Sequence, residues 1–333
     1  MQPVFDLTGE RKKDFAAGLL AWFERAMRPL PWRDTYDPYS VWISEIMLQR
    51  TQMERGVADF NAWLRLFPDI PSVADAPEEA VLKAWEGLGY YSRARNLHKA
   101  AKIIIQAHGG AFPRDVGAIR ALPGIGEYTA GAIASIAFGL PYVAVDGNVL
   151  RVFSRFLACE EDIGQPKTKQ ALAAEAQNHM PEGTPGDYNQ ALMELGALVC
   201  IPGVPKCEEC PLREQCAGLA AGIAPILPRK APKPPKAQVP VCVFVVHSPG
   251  GVLLQQRPAK GLLAGLWQPP LFEGSFAKTQ AQQKLQGPLP GVVLGENLPK
   301  ATHVFTHRIW KLYGWVAGTQ KPACYTHPTP ARE

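Results

Sequence analysis

The sequence holds 333 residues, 47% of them hydrophobic and 20% charged, which excludes a wholly disordered chain and makes two domains the first expectation. The formal net charge of +5 is unevenly laid out: residues 1–225 carry 22 Lys and Arg against 27 Asp and Glu, whereas residues 226–333 carry 13 against 3, so an acidic part precedes a strongly basic one. The longest apolar stretch, 130–145, falls short of the roughly 18–20 residues of a membrane span, and the charged segment 10–14 stands where a secretory signal would need an apolar core. A cytoplasmic location without a membrane partner is expected, nucleoid-associated if the source is bacterial.

From 12 to 198 apolar residues recur at spacings of three and four, with short polar, Gly or Pro breaks, the pattern of a nearly all-helical domain. Phe15, Leu19, Leu20, Trp22 and Phe23 form the stripe of a first helix, and Val41, Ile43, Ile46 and Met47 that of a second. Within the second, Glu45 has mostly apolar helical neighbours. Burial there would raise its pKa and keep it protonated near neutrality, as a general acid requires; a surface Glu at the helix edge is the competing reading.

Farther along, Leu122-Pro-Gly-Ile-Gly-Glu-Tyr-Thr129 separates two helical segments. Gly124 and Gly126 permit a tight turn at positive φ whose N–H groups, at the start of the next helix, can hold a phosphate and grip a DNA backbone without reading bases. An ordinary helix–helix turn uses Gly equally well. The run Val145-Asp-Gly-Asn-Val-Leu-Arg151 then sets Asp146 between an apolar stretch and a helix, either as an N-cap or as a carboxylate fixed in an apolar cleft to stabilise a developing cation. One carboxyl that gives a proton and one that faces an oxocarbenium ion make up the equipment for cleaving a glycosidic bond.

Cys200, Cys207, Cys210 and Cys216 follow a C-x6-C-x2-C-x5-C spacing interleaved with Pro202, Gly203, Pro205 and Pro211, while Cys159, Cys242 and Cys324 are isolated. Four thiolates suit an iron–sulfur cluster or zinc, with this spacing favouring the cluster. Four protein ligands leave no open position, so such a centre is structural or redox-sensing. Residues 224–240, rich in Pro and Lys, read as a semi-rigid linker. Beyond it, 239–246 and 251–256 read as strands around a turn at 247–251, with further strands at 292–294 and 304–316. The expected organisation is a helical domain at 1–223, a linker at 224–240 and a small α+β domain at 241–333.

Taken together, the hairpin, the segment around Asp146, the cysteine loop and Trp85-Glu-Gly-Leu-Gly-Tyr-Tyr-Ser-Arg93 closely resemble the MutY-type adenine DNA glycosylases of the helix–hairpin–helix, iron–sulfur superfamily, from about residue 29 to residue 315. The resemblance implies a monomeric base-excision repair enzyme that flips adenine mispaired with 8-oxoguanine or guanine out of double-stranded DNA and hydrolyses its N-glycosidic bond. It also implies a [4Fe-4S] cluster on Cys200, Cys207, Cys210 and Cys216. By position, Glu45 is similar to the acid that protonates adenine N7 and later positions water, and Asp146 to the carboxylate that stabilises the cationic sugar, with Asn148 and Tyr128 beside it. Arg33 and Gln190 match adenine-pocket positions. Gln49, Arg50, Thr51, Leu88 and Tyr90 match loops that probe the base stack and the oxidised guanine, and Leu122, Gly124 and Gly126 match the DNA-gripping hairpin.

Related glycosylase-lyases carry a Schiff-base lysine at the second position after the hairpin's last Gly. Here that position is Tyr128, whose phenol cannot form an imine, so hydrolysis with little strand cleavage is expected. The C-terminal part resembles the family's Nudix-like recognition domain, through Gly261-Leu-Leu-Ala-Gly-Leu-Trp-Gln-Pro-Pro270 and the Phe305-Thr306-His307 loop that would contact 8-oxoguanine. Only Glu273, Glu296 and Glu333 supply carboxylates after residue 225, too few to hold Mg²⁺ for Nudix hydrolysis. The chain departs from the family at Arg50, where Gln is usual, and at Thr306, where Ser is common. Its end at residue 333 implies that a final helix of the recognition domain is missing or replaced. Two other readings stand beside this one: a thymine or uracil mismatch glycosylase, which Arg50 permits and the C-terminal domain opposes, and a non-catalytic iron–sulfur DNA-binding sensor.

Overall fold

The chain divides between Ala231 and Pro232 into two units. The computed structural model describes residues 9–50, 53–232, 234–258 and 260–319; Thr51 and everything from residue 320 onward, Cys324 included, lie outside them.

The first unit is helical: α1 Gly9–Ala26, α2 Pro38–Met47, α3 Met53–Leu66, α4 Ile70–Asp75, α5 Glu78–Ala84, α6 Ser92–His108, α7 Val116–Ala121, α8 Glu127–Phe138, α9 Gly147–Phe156, α10 Pro166–Asn178, α11 Pro185–Leu198 and α12 Ala217–Ala220. Aspartates start several of them. Asp37, Asp69, Asp115 and Asp146 each accept a backbone N–H of the first turn, and proline opens α2, α4, α10 and α11, where its missing N–H costs nothing. Two apolar cores result. One gathers Trp42, Trp63 and Trp85 with Ile133; the other gathers Phe15, Phe153, Tyr188 and Leu192 with the cysteine loop. Between them, a Cβ on Gly131 of α8 would fall 2.5 Å from the Val143 carbonyl oxygen. Only glycine lets the segment leading to Asp146 lie across α8.

The linker is shorter at both ends than the composition implied. Ala224 and Leu227 are buried, the Arg229 carbonyl accepts from the Ile163 N–H, and Ala237 to Pro240 already pair with Arg308 to Lys311. Apolar burial and strand hydrogen bonds override the Pro/Lys character there.

The second unit contains β1 Ala237–Ser248, β2 Gly251–Val252, β3 Gln255–Gln256, β4 Trp267–Gln268, β5 Leu271–Glu273, α13 Lys278–Gln286, β6 Val293–Asn297, β7 Ala301–Val304 and β8 Arg308–Gly318. Its mixed six-stranded sheet runs β2-β1-β8-β6, with β5 beside β1 and β7 beside β8; β3 and β4 pair separately. The long parallel β1–β8 ladder carries Phe244, Val246, Trp315 and Ala317 into a core closed by Ala281 and Leu285 of α13. The expected strand at 304–316 is interrupted: the Phe305 N–H donates to the Arg308 carbonyl at 2.9 Å, which folds 305–307 into the turn of a β7–β8 hairpin. The expected strand at 251–256 is likewise split into β2 and β3. No described helix is long and apolar enough to cross a membrane.

Candidate active site

A cavity of about 480 Å3 in the helical unit is lined by Glu45 of α2, Tyr128 of α8, Asp146 and Asn148 at the start of α9, Gln190 and Glu194 of α11, and Arg33. Its size suits a small ligand such as one base. A larger groove of about 720 Å3 on the second unit, bounded by Lys300, Lys311, Thr302 and Phe276, has no carboxylate on its walls and so lacks the groups for acid–base chemistry.

The Tyr128 hydroxyl donates to Glu45 Oε2 at 2.6 Å. Burial pushes the Glu45 carboxyl up to about 7; the Tyr128 hydrogen bond and the Arg33 charge oppose the rise and the Asp146 charge adds to it. A large share of the molecules therefore carries a proton there at neutral pH, in position to give it. Asp146 uses both oxygens: Oδ1 accepts from the Asn148 and Val149 backbone N–H groups at 2.8 Å each, and Oδ2 from Asn148 Nδ2 at 2.7 Å. It is a helix cap and a cavity carboxylate at once. Burial raises its pKa, opposed by these hydrogen bonds and by the Arg151 charge. Asn148 Oδ1 in turn accepts from Arg151 Nη2 at 2.7 Å, and Arg151 also donates to the Gly196 carbonyl at 2.9 Å and the Cys200 carbonyl at 2.7 Å.

Opposite these carboxyls, Arg33 Nε donates to Gln190 Oε1 at 2.9 Å and Nη2 to Glu194 Oε2 at 3.2 Å. Glu194 and its second partner, Arg28, were not singled out from the sequence. The available signal was a lone acid in the apolar helical run 191–199.

Of the residues matched to DNA-facing loops, Gln49 is exposed just after α2, the side chain of Arg50 is not described, and Thr51 lies outside the described residues. Leu88 is buried at 8% exposure, whereas Tyr90 is 50% exposed with φ +48°. Arg93 lies over the Tyr90 ring at 5.9 Å and donates to the Ile46, Met47, Leu88 and Gly89 carbonyls, tying this strained loop to the end of the helix that carries Glu45. In the hairpin, Leu122 packs in the core, and only Gly124 takes positive φ, at +82°. Gly126, at φ −90°, starts α8 without a side-chain cap, which leaves amides there for an anion. Leu88 and Leu122 thus brace their loops from the apolar side.

On the second unit, Phe305 sits between His303 at 4.4 Å and Trp310 at 4.8 Å, and Thr306 and His307 are exposed at the turn. Lys236 Nζ donates to the Phe305 carbonyl at 2.8 Å and Arg308 Nε to His307 Nε2 at 3.0 Å. The turn is held from both sides.

Cys200, Cys207, Cys210 and Cys216 surround one small apolar cavity. Arg155, 1% exposed, donates to Cys200 Sγ at 3.4 Å and to the Ile201, Gly203 and Leu227 carbonyls. Burial, with neighbouring sulfurs adding to it, pushes the Cys210 thiol up to about 12 and raises Cys207 and Cys216; they would ionise only against a cationic centre. Among the described residues no three His, Cys, Asp or Glu side chains form a group able to hold one ion.

Residues 43–178 match the family of HhH-GPD superfamily base excision DNA repair proteins, and residues 241–330 the NUDIX domain. The adenine DNA glycosylase of Homo sapiens is 36% identical over 94% of this chain and 69% of its own length, and that of Mus musculus 36% identical over 96% and 73%. Among solved structures, a thermostable thymine-DNA glycosylase is 31% identical with a TM-score of 0.58, covering 65% of this chain and 100% of that one. Endonuclease III in a trapped covalent DNA intermediate shares the fold at 23% identity and a TM-score of 0.56, covering 66% of this chain and 100% of that one.

Proposed function

The chain belongs to the adenine DNA glycosylases of base-excision repair, hydrolases of N-glycosyl bonds, and from that premise we propose that it removes adenine paired with 8-oxoguanine or guanine, by water and with little strand cleavage. The observation that carries the reading is the pairing, on one cavity, of a Glu45 carboxyl raised to about 7 with the Asp146 carboxylate. With adenine flipped into the cavity, Glu45 gives its proton to N7, which makes the base a neutral leaving group as the bond from C1′ to N9 breaks. The three hydrogen bonds that Asp146 accepts favour its anion, which offsets the positive charge on the sugar. Water then bonds to C1′ and returns a proton to the Glu45 carboxylate, restoring the acid.

Tyr128 and the absence of lysine among the cavity's lining residues support a monofunctional reaction, since an imine needs an amine. The loop at 305–307, on a basic unit, supports reading of the oxidised guanine. Single-turnover base release from duplexes with A:8-oxoguanine, A:G, T:G and U:G pairs tests this. The fastest release is expected for adenine opposite 8-oxoguanine, and faster loss of thymine or uracil would favour the mismatch alternative. Borohydride treatment during turnover is expected to trap no protein on DNA above background; substantial trapping would overturn the Tyr128 argument.

We also propose a [4Fe-4S] cluster on the four cysteines. The donor chemistry supports it: four half-buried thiols line one cavity, with a fixed guanidinium on Cys200 Sγ. When bound, such a cluster supplies a fully coordinated, redox-capable centre that pins the loop. Anaerobically purified protein is expected to hold about four iron and four acid-labile sulfide per chain; stoichiometric zinc without sulfide would overturn the assignment.

A further inference from the structure

Glu194 stands in the cavity wall at 2% exposure, one helical turn after Gln190, and the reaction described above gives it no part. Two arginines converge on it: Arg28 through Nε at 2.6 Å and Nη2 at 2.9 Å, and Arg33 through Nη2 at 3.2 Å. Burial works to raise its pKa, but the Arg28 hydrogen bond and the two guanidinium charges outweigh that and hold it below the ordinary carboxylate value. It is an anion, not a proton donor.

Its influence passes through Arg33. With Nη2 on Glu194 and Nη1 on the Arg28 carbonyl at 2.9 Å, the planar fork is fixed and its Nε faces Gln190 Oε1 at 2.9 Å. A guanidinium only donates, so Gln190 must show it the amide oxygen. The amide nitrogen has one long contact, 3.4 Å to the Gly186 carbonyl. An N–H donor is therefore what this side chain has left to offer the cavity.

We propose that Glu194 is a specificity-determining positioning residue: by fixing Arg33 it locks Gln190 as a donor, so that the cavity selects a base presenting an unprotonated ring nitrogen. Adenine offers such acceptors at N1 and N3. Guanine shares the N3 acceptor but carries hydrogen on N1, and thymine and uracil carry it on N3 at the matching edge, so a donor locked toward the N1 edge would meet a donor in all three. A site built to hydrogen-bond its substrate rejects analogues strongly because its own buried group is otherwise left unpaired. The proposal rests on this cavity being the adenine pocket.

The test compares wild type with Glu194→Gln in single-turnover release of adenine, 1-deazaadenine and 3-deazaadenine, each of the last two replacing one ring acceptor by C–H. Gln keeps one acceptor and turns an NH2 toward the arginines, which unlocks the fork. The variant is expected to release adenine about ten- to a hundredfold more slowly, as loss of a buried, charge-assisted orientation implies. On the analogue lacking the nitrogen that Gln190 serves, its loss should be under about threefold, since that bond is already absent. Equal losses on all three bases, or no loss on adenine, would overturn the proposal. Arg33→Lys keeps the cation but removes the fork to Gln190; it should show the same selectivity, and carries the test if Glu194→Gln fails to fold. A wild type that released no adenine would overturn the functional reading and this inference together, whereas equal losses overturn only the inference.

Discussion

Asp146→Asn should slow base release by about a thousandfold while leaving the protein folded and bound to duplex DNA. The substitution is nearly isosteric. An amide oxygen in the place of Oδ1 can still accept from the Asn148 and Val149 N–H groups that Asp146 now holds at 2.8 Å, so most of the cap on α9 survives. The new NH2 faces the Asn148 amide nitrogen, now 2.7 Å from Oδ2, where donor meets donor; that contact costs on the order of 1 kcal/mol. On the proposed mechanism, what disappears is the charge offered to the sugar. Single-turnover rates with fluorescence-anisotropy binding separate the two effects. A near-normal rate would favour the non-catalytic sensor reading.

Glu45→Gln should slow release by roughly a hundred- to ten-thousandfold, because the amide cannot give a proton to the leaving base. The wild-type rate should fall as pH rises through about 7, where burial places the Glu45 carboxyl, and the variant's residual rate should lack that limb. The substitution should act on stability the other way, in the variant's favour at high pH. A carboxyl whose folded pKa lies above its unfolded value favours the fold while protonated; that contribution is complete below the ordinary Glu pKa and is lost as pH rises through about 7. Gln never ionises and never suffers the loss. Melting curves should place the variant above wild type at pH 8 and close to it at pH 5, and a variant no more stable at pH 8 would contradict the buried position of the carboxyl.

The helical unit was legible because its periodicity is long and its breaks carry proline, glycine and capping aspartates. The position of Asp146 left two readings open, and sequence could not show that each oxygen has its own work, so that cap and cavity carboxylate need not exclude one another. Glu194 and Arg28 lie 166 residues apart in the chain, and no local pattern announces such a partner. Leu88 and Leu122 sit in loops that the resemblance assigns to DNA, yet both turn inward and root their loops in the apolar core. The run 304–316 has strand composition throughout; its break follows from the Phe305 ring packing between His303 and Trp310, a contact between residues that sequence alone cannot pair in space.

One guanidinium, that of Arg151, serves the Cys200 carbonyl, the Gly196 carbonyl and the Asn148 side chain that steadies Asp146. On the proposed reading, a loop opened by oxidant or by loss of its cluster would take the Cys200 anchor with it, and the disturbance would pass through Arg151 and Asn148 to Asp146. By that route an injured molecule would fall silent. For a protein that removes letters from a genome, silence is the safer way to fail.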